Sequence, residues 1–231
     1  MTAAVVIVAG GQGLRMQAGR NKVFIEIGGR SILERSLALF DSMSLIDEIV
    51  LVTRVQDLRL CEGLRSRFQK LTKVVPGGEV RHRSEFSGVQ ALAGRIDANQ
   101  IETVLVHDAV RPFASRQLVE RVLGGSRRAE ACVPGLPAAP TTVLVDDGWI
   151  SDYPSNLWAV QTPQAVQATW LLEAHNKAAR QGFIGTDTAS VVEWAGGQVA
   201  VVEGEPSNIK ITTPADLAMA ERIAARLAQS G

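Results

Sequence analysis

The chain has 231 residues, and its 24 Lys and Arg balance 24 Asp and Glu, for a formal net charge of zero. That balance excludes a broad nucleic-acid-binding surface and a polybasic membrane anchor. Apolar residues at 46% and charged residues at 21% describe an ordinary globular chain, expected to bury one sizeable core in a single domain over residues 1–231.

Taken in order, residues 3–9 (AAVVIVA) form a near-continuous apolar run, as in a strand buried on both faces. Residues 32–43 carry a helical apolar stripe, and residues 48–53 (EIVLVT) read as the next strand. A polar, Leu-punctuated helix is expected at 57–69, a strand at 71–75, a helix at 84–94 and a strand at 103–107 (TVLVH). This β-α-β-α-β-α-β order predicts a parallel sheet with helices on both faces. The second half is less regular, with strands at 131–133 and 142–145 separated by the Pro-rich stretch 134–140. Asp146-Asp147-Gly148 is a hairpin turn with 149–151 returning, an arrangement suited to a protruding arm. Helices follow at 165–180 and 188–195, and strands at 198–202 and 209–212. Thr213-Pro214-Ala215-Asp216 then opens the last helix, with Thr as N-cap and Pro in the first turn.

In such a sheet, ligands bind beyond the carboxyl ends of the strands. After the first strand comes Gly10-Gly11-Gln12-Gly13-Leu14-Arg15-Met16, where glycines let backbone N–H groups surround an anion and Arg15 adds a charge. By itself this loop reads equally as a tight β–α turn. It is neither GxGxxG nor GxxxxGK[ST], which weakens a dehydrogenase and a P-loop NTPase. Lys22 follows seven residues after Arg15, giving two cations on one glycine loop. Gly77-Gly78-Glu79-Val80-Arg81-His82-Arg83-Ser84 is a second glycine-then-basic turn entering a helix, whose N-terminus attracts anions. After the fourth strand, His107-Asp108-Ala109-Val110-Arg111-Pro112 places a carboxylate opposite both loops. Asp108 there is a candidate Mg²⁺ ligand or, standing alone, a helix cap or turn residue.

No leader or membrane segment is expected, since the first basic residue is Arg15 and the uncharged run 153–172 contains two prolines and three glutamines. Cys61 and Cys132 read as buried apolar residues, and with three scattered histidines they give no disulfide scaffold or zinc ligand set. A cytoplasmic, reduced protein is expected. His107 reads as a structural hydrogen-bonding residue, while His82 and His175 show no partner pattern.

AGGQGLRM with Lys22, GGEVR, VHDAVRP, LWAVQTPQ (157–164), TDTAS (186–190) and VEGEPSNIKIT (202–212) together resemble the 2-C-methyl-D-erythritol 4-phosphate cytidylyltransferases, in order and over nearly the whole chain. Ribitol-5-phosphate cytidylyltransferases share most of these motifs. The resemblance implies an α/β fold, a Rossmann-like nucleotidyltransferase with a mostly parallel sheet flanked by helices and a protruding β-arm. It implies that CTP and a polyol phosphate give a CDP-polyol and pyrophosphate with Mg²⁺. Matching positions make Arg15, Lys22, Asp108 and Lys210 catalytic, with Asp108 at the metal. Ala9, Gly10, Gly11, Gln12, Gly13, Gly78, Glu79, Arg81, Ser84 and Ala109 fall on the nucleotide side; Arg111, Thr141, Thr162 and Thr186 fall on the acceptor side. The family is homodimeric through a β-arm, matching 138–156 here.

The chemistry fits this residue set. An acceptor phosphate is already anionic near neutral pH, so no Ser–His or Cys–His pair is needed; alignment and charge stabilisation are. The chain departs from the family where Pro-Lys-Gln becomes Asn21-Lys22-Val23, so that Lys22 lacks a stiffening proline. In the arm, Arg-Asp-Thr becomes Ala139-Pro140-Thr141 and a later arginine falls at or near Pro154. Three functions follow: cytidylyl transfer to methylerythritol phosphate, the same transfer to a pentitol phosphate such as ribitol 5-phosphate, or a nucleotide-binding module without catalysis.

Overall fold

The computed structural model describes residues 2–11 and 21–230. A strand covered on both sides needs apolar side chains in both directions, and β1 (Ala3–Val8) supplies them. Ala3, Val5 and Ile7 join one buried cluster, and Ala4 and Val6 the other. A two-residue ribbon, β2 (Glu26–Ile27) and β3 (Arg30–Ser31), precedes α1 (Ile32–Asp41). That helix starts on a capping box, with Ser31 Oγ accepting from the Glu34 N–H and the Glu34 carboxylate from the Ser31 N–H. There follow β4 (Ile46–Thr53), α2 (Leu58–Glu62), β5 (Leu71–Pro76), α3 (Arg81–Asp97), β6 (Thr103–Asp108), α4 (Arg116–Gly125) and β7 (Ala131–Pro137). The chain continues through β8 (Leu144–Asp146), β9 (Trp149–Asp152), β10 (Trp158–Val160), β11 (Gln164–Gln167), α5 (Ala168–Gln181), α6 (Thr188–Ala195), β12 (Val199–Glu203) and α7 (Pro214–Ser230).

The main sheet runs β10-β7-β11-β6-β1-β4-β5, with β12 also paired to β7. Pairs β1–β4, β1–β6, β4–β5 and β7–β12 are parallel, while β11 and β10 pair antiparallel. On one face, Leu33, Leu37 and Phe40 of α1 and Leu118, Val119 and Val122 of α4 pack against the sheet. On the other lie Val89, Leu92 and Ile96 of α3, Leu171 and Leu172 of α5 and Val192 of α6. The register sets Val8 opposite both Val52 and Asp108, and Thr53 opposite Pro76. The carboxyl ends of the four parallel strands therefore lie level, and the loops after them share one edge.

The alternating first half follows the sequence expectation, and the departures have local causes. The helix expected at 57–69 is only α2 flanked by 3-10 turns, Val55–Asp57 and Gly63–Ser66. A polar segment beside an edge strand lacks the buried face that sustains a long helix. Helix α4 was not expected; Ser115 caps it by accepting from the Leu118 N–H. Strands β10 and β11 also escaped the periodicity, being three and four residues long. The segment 209–212 joins no ladder; a backbone bond of 2.9 Å from the Ile211 N–H to the Val110 carbonyl helps to pin it. The last helix opens as expected, with Thr213 Oγ1 accepting from the Asp216 N–H. Asp216 accepts in turn from the Thr212 and Thr213 N–H groups. The β8–β9 turn is type I′, with Asp147 at φ 46° and Gly148 at φ 84°. This hairpin is a separate two-stranded sheet with every residue exposed.

Helix α3 sits close on the sheet at Gly88, where a Cβ would lie 2.3 Å from Val6 Cγ1 and 2.8 Å from Val52 Cγ2. Gly88→Val is therefore expected to destabilise the fold by about 2–3 kcal/mol through overpacking. Urea denaturation checks this, as a lower midpoint at unchanged slope.

Candidate active site

The level strand ends place Gly10, Gly11, Lys22, Gly78, Glu79, Arg81, Ser84, Asp108 and Lys210 around one cleft, with Ala9 and Asn21 in its wall. Gln12, Gly13 and Arg15 lie outside the described residues. Two glycine loops close on Ser84 at the start of α3. A Cβ at Gly77 would lie 2.8 Å from Ser84 Oγ, and one at Gly10 would lie 3.4 Å from it. The Ser84 hydroxyl accepts from the Gly78 N–H at 3.1 Å, so it shapes the loop. Glu79 is exposed beside Arg83.

At the centre, the nearly buried Asp108 accepts from Arg81 Nε at 2.9 Å and from Lys210 Nζ at 2.7 Å. Burial alone would raise its pKa. The charges of Arg81 and Lys210 outweigh burial and hold the carboxyl well below the usual range. Burial likewise works against the Arg81 charge, but Asp108 and Glu85 raise its pKa further above the ordinary arginine value. The segment 209–212 contributes Lys210 to the cleft lining without joining the sheet.

Behind Asp108 runs a chain of neutral hydrogen bonds. His107 Nε2 lies 3.2 Å from the Arg111 carbonyl and its Nδ1 3.2 Å from Thr162 Oγ1, which accepts from the Asp108 N–H at 3.0 Å. A carbonyl only accepts, so Nε2 carries the proton and Nδ1 accepts from the Thr162 hydroxyl. Burial pushes the His107 pKa down to about 4, leaving the ring neutral with both nitrogens engaged.

The residues expected on the acceptor side are not gathered in the cleft wall. The Thr162 hydroxyl is buried in the His107–Asp108 chain. Arg111 donates to the Asn208 carbonyl at 2.9 Å and the Val160 carbonyl at 3.4 Å. Thr141 and Thr186 are exposed. Ala109 is fully buried, its N–H on the Val8 carbonyl, so it supports the strand end.

Asn21 carries more than the sequence revealed. It is fully buried, and its Nδ2 donates to the Ala9 carbonyl at 2.9 Å and to Asp57 Oδ2 at 3.0 Å. Its Oδ1 accepts from the Val23 N–H, capping the 3-10 turn Lys22–Phe24, and Arg54 holds Asp57 at 2.6 Å. The two ends of the glycine loop are thus clasped by side-chain hydrogen bonds. Glu85 and His175 also went unread; their carboxylate–imidazole bond of 3.0 Å joins α3 to α5 across 90 residues of sequence.

The assembled cleft can bind a polyanion. Lys22, Arg81 and Lys210 supply positive charge, glycine loops allow backbone approach, and Asp108 is the central carboxylate. Among the described residues, no cluster of three or more His, Cys, Asp or Glu could hold a metal unaided, and no helix is long and apolar enough to cross a membrane.

The titration of His107 sets a stability window. Its folded pKa lies below the unfolded value of 6.5, so the unfolded chain takes up a proton first as pH falls. Stability is expected to be full above pH 6.5 and to drop by about 3 kcal/mol towards pH 4. Denaturant titrations across that range should show this loss, reduced in His107→Gln.

The family model described as IspD, 2-C-methyl-D-erythritol 4-phosphate cytidylyltransferase, matches residues 3–226. A 2-C-methyl-D-erythritol 4-phosphate cytidylyltransferase of Bacillus licheniformis is 41% identical, covering 96% of each chain. One from Halalkalibacterium halodurans is 40% identical over 97% of this chain and 98% of its own. The crystal structure of 4-diphosphocytidyl-2C-methyl-D-erythritol synthase from Anaerococcus prevotii superposes with a TM-score of 0.83 at 33% identity, over 98% of this chain and 96% of that one. The cytidylyltransferase structure from Thermus thermophilus gives 0.76 at 34% identity, over 97% and 100%. The strand-end cleft, its two glycine loops and these full-length likenesses agree: the chain belongs to the 2-C-methyl-D-erythritol 4-phosphate cytidylyltransferase family.

Proposed function

We propose that this enzyme transfers a cytidylyl group from CTP to 2-C-methyl-D-erythritol 4-phosphate, releasing pyrophosphate, in isoprenoid precursor synthesis. The observation that carries the reading is the cleft itself, where Lys22, Arg81 and Lys210 converge on glycine loops around Asp108 with no nucleophile–base pair among the described residues. An acceptor phosphate oxygen forms the new bond to the α-phosphorus, and the bond from that phosphorus to the β-phosphate bridging oxygen breaks. Both electron-rich partners are anions, so the protein's task is to align them and offset the charge that moves onto pyrophosphate. Lys22, with Arg15 on the same loop, is assigned to the triphosphate, and Lys210 and Arg81 to charge near Asp108. Arg111 and the segments bearing Thr141, Thr162 and Thr186 are assigned to the acceptor side.

Mg²⁺ belongs to this reading. A carboxylate offers about four lone-pair sites, of which Arg81 and Lys210 use two. Mg²⁺ ordinarily takes one or two carboxylates and completes its shell with substrate phosphates and water. Asp108 is the ligand the chain would provide, and the ion would neutralise phosphate charge. Family matching over 3–226 supports one catalytic domain, and two buried, unpaired cysteines suit a reducing, cytoplasmic setting.

The assay is pyrophosphate release from CTP with Mg²⁺ and either methylerythritol phosphate or ribitol 5-phosphate, the second included because Ala139 and Pro154 stand where the resemblance implies arm cations. Methylerythritol phosphate is expected to give the higher kcat/KM. Lys22→Ala is expected to lower kcat by roughly 10²–10³, about 3–4 kcal/mol of transition-state stabilisation. A preference for the pentitol phosphate would reassign the acceptor, and full turnover in excess EDTA would remove the metal.

The protein is further proposed to be a homodimer through the β8–β9 hairpin and its flanks at 138–156. The support is apolar exposure on a self-contained ribbon: Trp149 is 80% exposed, and Leu144, Val145, Ile150 and Tyr153 are exposed around it. Sedimentation is expected to give a dimer for the natural chain and a monomer for Trp149→Asp/Ile150→Asp.

A further inference from the structure

Glu85 stands one turn along α3 from Arg81 and is 0% exposed. A buried carboxylate needs partners to stay charged. Its Oε2 accepts from Arg81 Nη1 at 2.7 Å, and its Oε1 accepts from His175 Nε2 at 3.0 Å. Arg81 Nε is committed to Asp108 on β6. The guanidinium is thus fastened at two corners by carboxylates from two elements. Its third corner, Nη2, is buried with no partner among the described residues, on a side chain that lines the cleft. Glu85 is fixed in its turn, because the His175 ring is stacked on Phe86 at 5.5 Å and packed 4.9 Å from His82.

We propose that Glu85 is a positioning residue for nucleotide binding: by holding Arg81 Nη1 it stops the guanidinium from folding onto Asp108 and keeps the Arg81 charge in the cleft wall, where the triphosphate binds. The physical reason is the planar fork of arginine. Offered one carboxylate, a guanidinium takes it bidentately; offered two at different corners, it is held in one plane. Without the Glu85 charge, Arg81 would turn both donors to Asp108 and compete with Lys210 there. The proposal rests on the reading of the cleft as a CTP site.

The test is a double-mutant cycle read by calorimetric CTP binding, with melting temperature measured on each protein. Glu85→Gln keeps the shape and removes the charge. It is expected to raise the Kd for CTP about tenfold in the wild-type background, and by less than about twofold in an Arg81→Ala background. Any loss of melting temperature is expected in both backgrounds alike. In turnover, the KM for CTP should rise while the KM for the acceptor stays nearly unchanged. A folded Glu85→Gln protein with unchanged CTP affinity overturns the proposal, as does a tenfold effect that persists beside Arg81→Ala. Should Glu85→Gln not fold, Arg81→Lys decides. It keeps the charge but cannot reach both carboxylates, so wild-type affinity there overturns the proposal and a loss of about tenfold supports it. Wild-type protein that fails to bind CTP overturns the nucleotide reading itself, and this proposal with it.

Discussion

Asp108 has been taken almost wholly out of water, and an isolated charge in that position would cost several kcal/mol. Arg81 from α3 and Lys210 from the segment before α7 meet it at 2.9 and 2.7 Å, so three distant parts of the chain are committed to one point. Arg81 also answers to Glu85, and the charges alternate from Lys210 through Asp108 and Arg81 to Glu85. Removing any inner member leaves a neighbour buried and short of a partner. The network therefore makes the cleft's charge distribution a property of the whole fold.

What allows those parts to meet is the parallel register. Val8 lies opposite both Val52 and Asp108, so the first glycine loop and Asp108 leave the sheet side by side. The second glycine loop enters α3 beside them, with Gly77 tight against Ser84 and Gly10 in contact range of it. A serine in the first turn of a helix thus becomes the post against which two loops close. At Gly77 a Cβ would lie only 2.8 Å from that hydroxyl and force it to shift, whereas at Gly10 it would make an ordinary contact of 3.4 Å.

Around the charged centre, neutral hydrogen bonds fix geometry. The chain Arg111 C=O, His107, Thr162 and Asp108 N–H gives each group one compatible role, and full burial keeps the imidazole uncharged. Asn21 does comparable work at the loop's exit, joining Ala9, Val23 and Asp57 with one amide. Proline restrains a chain by its own ring; this asparagine restrains it by partners that only the folded protein supplies.

The first half of the sheet was legible in the sequence because burial on both faces leaves a continuous β-branched run, as in 3–9 and 103–107, and the helices between carry a one-sided stripe. The glycine loops, Lys22 and Asp108 were legible as well, since turn chemistry and strand-end charge are local. Short strands such as β10 and the helix α4 left too few residues or too weak a stripe to be read. Lys210 was placed on an expected strand, whereas its segment joins no ladder and is held by the buried Ile211, the Ile211 backbone bond and the Lys210–Asp108 pair. Asn21 looked like a lost proline until its three partners were in place. Glu85 and His175 carried no pattern, being 90 residues apart. Periodicity records which side of a segment meets the core. It holds no record of which distant side chain waits there, and that pairing, with the charge it makes tolerable, was decided only when the chain folded.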